Sequence, residues 1–70
     1  MKIWQRFIGS TIFELRTSRG MTQKKLARKA GIHVSYVSDI EQGKRNPSLL
    51  VLVNIANTLG VEPAELLKRD

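Results

Sequence analysis

Residues 22–43 read TQKKLARKAGIHVSYVSDIEQG, and no other stretch of the chain narrows its possible folds as much. Apolar side chains recur there at helical spacing on both sides of Ala30-Gly31-Ile32. Leu26, Ala27 and Ala30 precede the turn, and Val37 and Ile40 follow it. Thr22 stands where a hydroxyl can accept from the amides of an opening helical turn. Gly31 falls where a sharp turn requires positive φ. Two short helices are therefore predicted, over residues 23–30 and 34–42, with Ile32 beneath the turn between them. Ala27 occupies the point where the two would cross, and a larger side chain would hold them apart. Neither helix is long enough to stand alone, so the flanking sequence must supply their packing.

The flanks carry that material. Residues 3–18 place Ile8, Ile12 and Leu15 on one helical stripe, after Trp4 and Phe7. Gly9 costs about 1 kcal/mol relative to alanine inside such a helix. Either it permits a close crossing, or the helix begins after it. Gly20 follows Thr17-Ser18-Arg19 as a C-terminal cap. Gly43 ends the third helix, and Lys44-Arg45-Asn46-Pro47 forms a basic loop that the proline keeps from being helical. Ser48 caps a fourth helix reaching Leu59, with Gly60 as its terminator and Leu49, Leu52, Ile55, Ala56 and Leu59 inward. Pro63 opens a short fifth helix in which Glu65 suits the positive end and Leu66 and Leu67 pack down. No strand pattern, repeat or linker interrupts the chain. A single all-α domain of five helices, residues 1–70, is expected.

Seventy residues supply one small core and little room for a buried catalytic pocket. There is no cysteine to form a disulfide or a thiolate metal site. Stability has to come from apolar packing, for which eight Leu, six Ile and five Val are available. The opening apolar stretch is broken by Lys2, Gln5 and Arg6, which suits neither a signal peptide nor a membrane span. A cytoplasmic protein with no membrane association is the expectation.

The net charge is +6, and its distribution matters more than its size. Residues 16–45 hold eight basic residues against Asp39 and Glu41, so the whole surplus lies on and beside residues 22–43. A charge run taken alone is most often a solvated helix face. Its coincidence with two short helices and a turn favours a phosphate-binding surface, because such a surface needs localised positive potential. A helix-turn-helix of this kind lays its second helix in the major groove of DNA.

Chemistry of other kinds finds little support. His33 is the sole histidine and has no partner with which to share a metal, so it reads as a turn residue. Ser35, Ser38, His33 and Asp39 fall on one helix and its lead-in, with neither a pocket nor oxyanion donors implied. The glycines are scattered and build no phosphate-cradling loop. No cofactor, metal, small-molecule substrate or catalytic residue is expected, and the chain does not read as an enzyme. Trp4, Phe7 and Phe13 belong at the core or its edge. The alternative is that Phe13, Leu50 and Val53, off the inner stripes, form a contact between protomers.

With these residues in place, the chain resembles the helix-turn-helix domains of Cro/C1 phage-repressor type, also called the XRE family. The resemblance covers about residues 8–67. It rests on Ile8-Gly9, Leu15-Arg16, Gly20-Met21-Thr22-Gln23, Leu26-Ala27 and Ala30-Gly31-Ile32. It runs on through Ser35-Tyr36-Val37-Ser38-Asp39-Ile40-Glu41-Gln42-Gly43 and Lys44-Arg45-Asn46-Pro47-Ser48-Leu49, closing with Ile55-Ala56 and Leu59-Gly60-Val61. Each piece is weak alone, but their order and spacing together are specific.

The resemblance implies a five-helix, lambda-repressor-like fold and a sequence-specific transcriptional regulator, most simply a repressor. It would bind a palindromic operator on double-stranded DNA as a homodimer. Gln23 would meet a phosphate and steady a side chain of the third helix. Val34, Ser35 and Asp39 would face base edges, valine against a thymine methyl and aspartate accepting from cytosine N4. Tyr36, Ser38, Lys44, Arg45 and Asn46 would contact the backbone. Such a base-facing trio discriminates softly, which leaves more of the work to DNA shape and phosphates. Arg16 and Glu41 match a structural ion pair between the first and third helices; the plain alternative is two unrelated surface charges. His33 departs from the usual Ser or Thr cap, so the third helix starts either at Val34 or later, at Ser35. Asp39 departs too, since a carboxylate turned toward DNA costs affinity unless it meets a donor base. It leaves open a second reading, a protein-interaction module of antitoxin-like or bridging kind that keeps the fold.

Overall fold

A computed structural model of the chain describes residues 2–68, without the side chain of Lys2. The charged residues Lys2, Arg69 and Asp70, which contribute to the net charge of +6, thus lie outside the described side chains. The described residues form four α-helices and a closing 3-10 helix: α1 (Lys2–Ser18), α2 (Gln23–Ala30), α3 (Val34–Glu41), α4 (Leu49–Leu59) and Pro63–Leu67. α2 packs against both α3 and α4. α1 lies across α3 and the 3-10 helix, which also rests on α4.

Each boundary has a local cause. Thr22 Oγ1 accepts from the Lys25 amide at 3.0 Å and Ser48 Oγ from the Val51 amide at 3.2 Å, which starts α2 and α4. Gly31 takes φ 73°, so the chain reverses and the Ile32 amide reaches back to the Ala27 carbonyl at 2.9 Å. Gly43 does the same after α3 at φ 74°, and there the Lys44 amide reaches the Asp39 carbonyl at 2.8 Å. The basic loop therefore leaves α3 along a fixed path.

The core gathers Ile8 and Ile12 from α1, Leu26, Ala27 and Ala30 from α2, and Val37 and Ile40 from α3. Leu52, Ile55, Ala56 and Leu59 from α4, with Leu66, complete it. α1 runs unbroken through Gly9, which resolves the two possibilities for its start. A Cβ at Gly9 would run into the backbone carbonyls of Ile40 and Glu41, so the glycine is what lets α1 lie directly on α3.

Several expectations need correcting. The fifth helix is a 3-10 turn, not an α-helix. At three residues per turn, adjacent Leu66 and Leu67 cannot both face inward, and Leu67 is half exposed while Leu66 is buried. Leu49 is exposed rather than inward: it is the first residue after the Ser48 cap, at the edge of its stripe. α3 ends at Glu41, with Gln42 as its cap. Phe13 is half exposed, and Trp4 stands edge-on to Phe7 at the core's margin, ring centroids 5.9 Å apart.

Gly9 provides a test in which two effects oppose each other. Helix propensity alone would make Gly9→Ala stabilising by about 1 kcal/mol. The collision with backbone carbonyls, which cannot rotate away, costs about 1–3 kcal/mol or more. We expect net destabilisation, seen as a Tm lowered by roughly 5–15 °C for a chain of this size. An unchanged or raised Tm would show that the two helices do not meet at this residue.

Candidate nucleic-acid interface

α3 is fixed to the rest of the domain by one knot of charged hydrogen bonds. Arg16 lies on the buried side of α1 and donates through Nε to Glu41 Oε2 at 2.6 Å and through Nη2 to Glu41 Oε1 at 3.0 Å. Its remaining nitrogen, Nη1, donates to the Met21 carbonyl at 2.7 Å, in the turn before α2. From the first position of α2, Gln23 Nε2 donates to Glu41 Oε1 at 2.9 Å. The side chains of Arg16 and Glu41 are only 10% and 4% exposed, so this forked pair is largely withdrawn from solvent. The Phe13 ring flanks the guanidinium, its centroid 5.4 Å from Arg16 Cζ. α1 and α2 thus converge on Glu41, the last residue of α3, and the turn between them is tied to the same guanidinium. Gln23 is turned to Glu41 in this arrangement.

The start of α3 is capped in an unusual way. His33 Nδ1 accepts from the Ser35 amide at 3.2 Å and lies 2.9 Å from the Ser35 hydroxyl. An imidazole nitrogen does the work of a serine or threonine oxygen, and α3 begins at Val34 rather than at Ser35. Val34 is half-buried with part of its side chain against the core, whereas Ser35 is exposed.

The rest of the surface follows α3 and its exit loop. Lys44, Arg45 and Asn46 are exposed, and Pro47 behind them is buried, which anchors the loop. Arg45 lies over the ring of Tyr36, with Cζ 4.8 Å from the centroid, and its Nε is 3.8 Å from Asp39 Oδ2. Ser38 Oγ accepts from Gln42 Nε2 at 2.8 Å. Lys24, Lys25, Arg28 and Lys29 project outward from α2. The structure therefore brings Ser35, Tyr36, Ser38, Asp39, Lys44, Arg45 and Asn46 onto α3 and its exit loop. Phe13 is on α1 beside Arg16, while Leu50 and Val53 are on α4, which is not a main packing partner of α1.

Sequence reasoning alone placed His33 at the cap of α3 but missed three other roles. These are the Met21 carbonyl as an acceptor, Phe13 as a flank for Arg16, and Tyr36 with Asp39 as the seat of Arg45. Each depends on where a long side chain comes to rest, which residue spacing does not report. No helix among the described residues is long and apolar enough to cross a membrane.

A four-helix frame with a tight turn at Gly31 and a partly exposed, basic-flanked third helix defines the class of helix-turn-helix domains. The sequence pattern of the helix-turn-helix family matches residues 12–66. The control protein C.BamHI of Bacillus amyloliquefaciens is 43% identical over 60 residues, which make up 84% of this chain and 74% of that protein. The immunity repressor protein of Bacillus phage phi105 is 38% identical over 63 residues, 90% of this chain and 44% of the repressor. Among crystal structures, the restriction-modification controller protein C.AhdI from Aeromonas hydrophila superposes with a TM-score of 0.87 at 40% identity, over 89% of this chain and 94% of that one. The chain belongs to the helix-turn-helix family of Cro/C1 type.

The knot makes a sharp prediction about stability. Glu41→Ala leaves Arg16 buried without its counter-charge, and breaking such a pair costs about 3–5 kcal/mol. Replacing both partners, Arg16→Met with Glu41→Leu, should cost much less than Glu41→Ala alone. Urea denaturation of the two variants checks this, and equal losses would mean that the pair's charges are not desolvated.

Proposed function

We propose that this protein is a DNA-binding transcriptional regulator, acting as a repressor that occupies a palindromic operator as a homodimer, with α3 in the major groove. It is a binding protein rather than an enzyme, and works in the cytoplasm where the operator is. One observation carries the reading: α3 is locked to α1 and α2 by the Arg16–Glu41–Gln23 knot, while Ser35 and the Lys44-Arg45-Asn46 loop stay exposed and Tyr36, Ser38 and Asp39 are partly so. A recognition helix needs this combination, because a reading surface must arrive in one orientation.

Val34, Ser35 and Asp39 are the base-facing residues in this reading, with the half-buried Val34 contributing an apolar edge. Tyr36, Ser38, Lys44, Arg45 and Asn46 take phosphates. Gln23 combines a phosphate contact with its hold on Glu41. Repression is by exclusion, and the protein needs no cofactor. A regulator of the controller or phage type fits the relatives, which are a control protein, a controller protein and an immunity repressor.

The dimer contact includes Leu50 and Val53 on α4. Leu49 and Leu50 are 75% and 69% exposed on that helix, and half-exposed Leu67 belongs to the adjoining 3-10 helix. Exposed leucines in this number suit a second copy of the chain. Two copies so joined present their α3 helices to half-sites about one helical turn, ~34 Å, apart. Phe13, beside Arg16 on α1, is the third residue of this proposed contact.

Three measurements test the proposal. Lys44→Ala should weaken binding to all DNA alike and flatten the dependence of log K on log salt by about 0.9. Ser35→Ala should instead change the preferred site, at about 1–3 kcal/mol per affected base pair, in a selection from randomised duplexes. No sequence preference in the native protein would favour the protein-interaction module. For the dimer, sedimentation with and without operator should show two chains per palindrome, and Leu50→Glu should leave one. A native protein that stays monomeric in both cases rules the dimer out.

A further inference from the structure

A carboxylate on the outward side of a recognition helix is an obstacle in the field of the DNA backbone, and its neighbours suggest what it is for. Asp39 has one ion-pair partner among the described residues, Arg45, which comes from the exit loop. Arg45 is held from two sides, by the Asp39 carboxylate at 3.8 Å and by the Tyr36 ring 4.8 Å beneath its guanidinium carbon. The loop cannot drift away, since the Lys44 amide is bonded to the carbonyl of Asp39 itself. The ion pair is nevertheless loose. Its distance lies at the outer limit for a salt bridge, and the side chains are 56% and 39% exposed, so little free energy opposes its opening.

Resting on the proposed reading of Asp39 as a base-facing residue, we propose that Asp39 and Arg45 form an exchangeable pair. Through it, recognition of a base releases an arginine to the DNA backbone. Opposite a base edge with no donor, Asp39 keeps Arg45, because a bare carboxylate would otherwise stand unpaired in a negative field. Opposite a cytosine, the N4 amino group donates to Asp39 and takes over the role of the guanidinium. Arg45 then moves from its seat on Tyr36 to a phosphate. Sequence is thereby read twice, once at the base and once as an additional backbone contact made only on the correct site.

The test compares salt dependence on two duplexes. One is selected by the native protein from a randomised pool. The other differs only at the base pair where selections by the native protein and by Asp39→Asn diverge. The native protein should show a slope steeper by about 0.9 on the selected duplex, the signature of one more phosphate contact. In Asp39→Asn, Arg45 is free on both duplexes, and in Arg45→Ala it is absent from both, so each variant should give equal slopes. Both positions are solvent-accessible, and circular dichroism checks that the variants keep their helices. Equal slopes in the native protein, or a difference that survives Arg45→Ala, would overturn the exchange while leaving base reading by Asp39 intact. Identical site preferences for the native protein and Asp39→Asn would instead overturn the base reading, and the exchange with it.

Discussion

Everything outward on α3 depends on one inward contact, the forked pair of Arg16 and Glu41. A planar guanidinium offers its donors in fixed directions, and here three of its nitrogens are committed, two to Glu41 and one to the Met21 carbonyl. Gln23 meets the same carboxylate from α2. Apolar residues of equal volume could stabilise such a site as well, but would leave α3 freer to slide or turn. Direction is what the charged knot adds, and a reading surface needs direction more than it needs stability.

Most of the fold was legible because it is written in short-range rules. The caps at Thr22 and Ser48 and the left-handed glycines after α2 and α3 sit where their residue types predict. The buried stripe of α2 follows from spacing alone. Leu49 and Leu67 went astray because spacing assigns a face without saying whether a neighbour covers it, and a 3-10 turn shifts the period as well. The Arg16–Glu41 partnership spans 25 residues, and only resemblance to other helix-turn-helix chains pointed to it. The same limit hid the Arg45 stack on Tyr36 and the Phe13 flank, both set by tertiary placement.

The reading surface is built from conditional contacts laid on rigid supports. His33 spends its nitrogen on the Ser35 amide, so the first exposed polar residue of α3 is bound up with the cap that starts the helix. Ser38 is tied to Gln42 and Asp39 to Arg45. Several groups proposed to face DNA are thus engaged with one another, and in that reading binding exchanges those partners rather than filling vacant positions. Exchange of like for like releases little free energy for a wrong sequence, so it favours discrimination over raw affinity.

The close approach of α1 and α3 at Gly9 carries an evolutionary consequence. Where two backbones meet without an intervening side chain, the crossing itself holds no side chain whose exchange could tilt one helix against the other. New operator preferences in such a lineage are therefore open to substitution on the outer face of α3 and closed to gradual reorientation of the helix. The domain behaves as a fixed handle with exchangeable teeth, and its descendants should differ in what they read long before they differ in how they hold it.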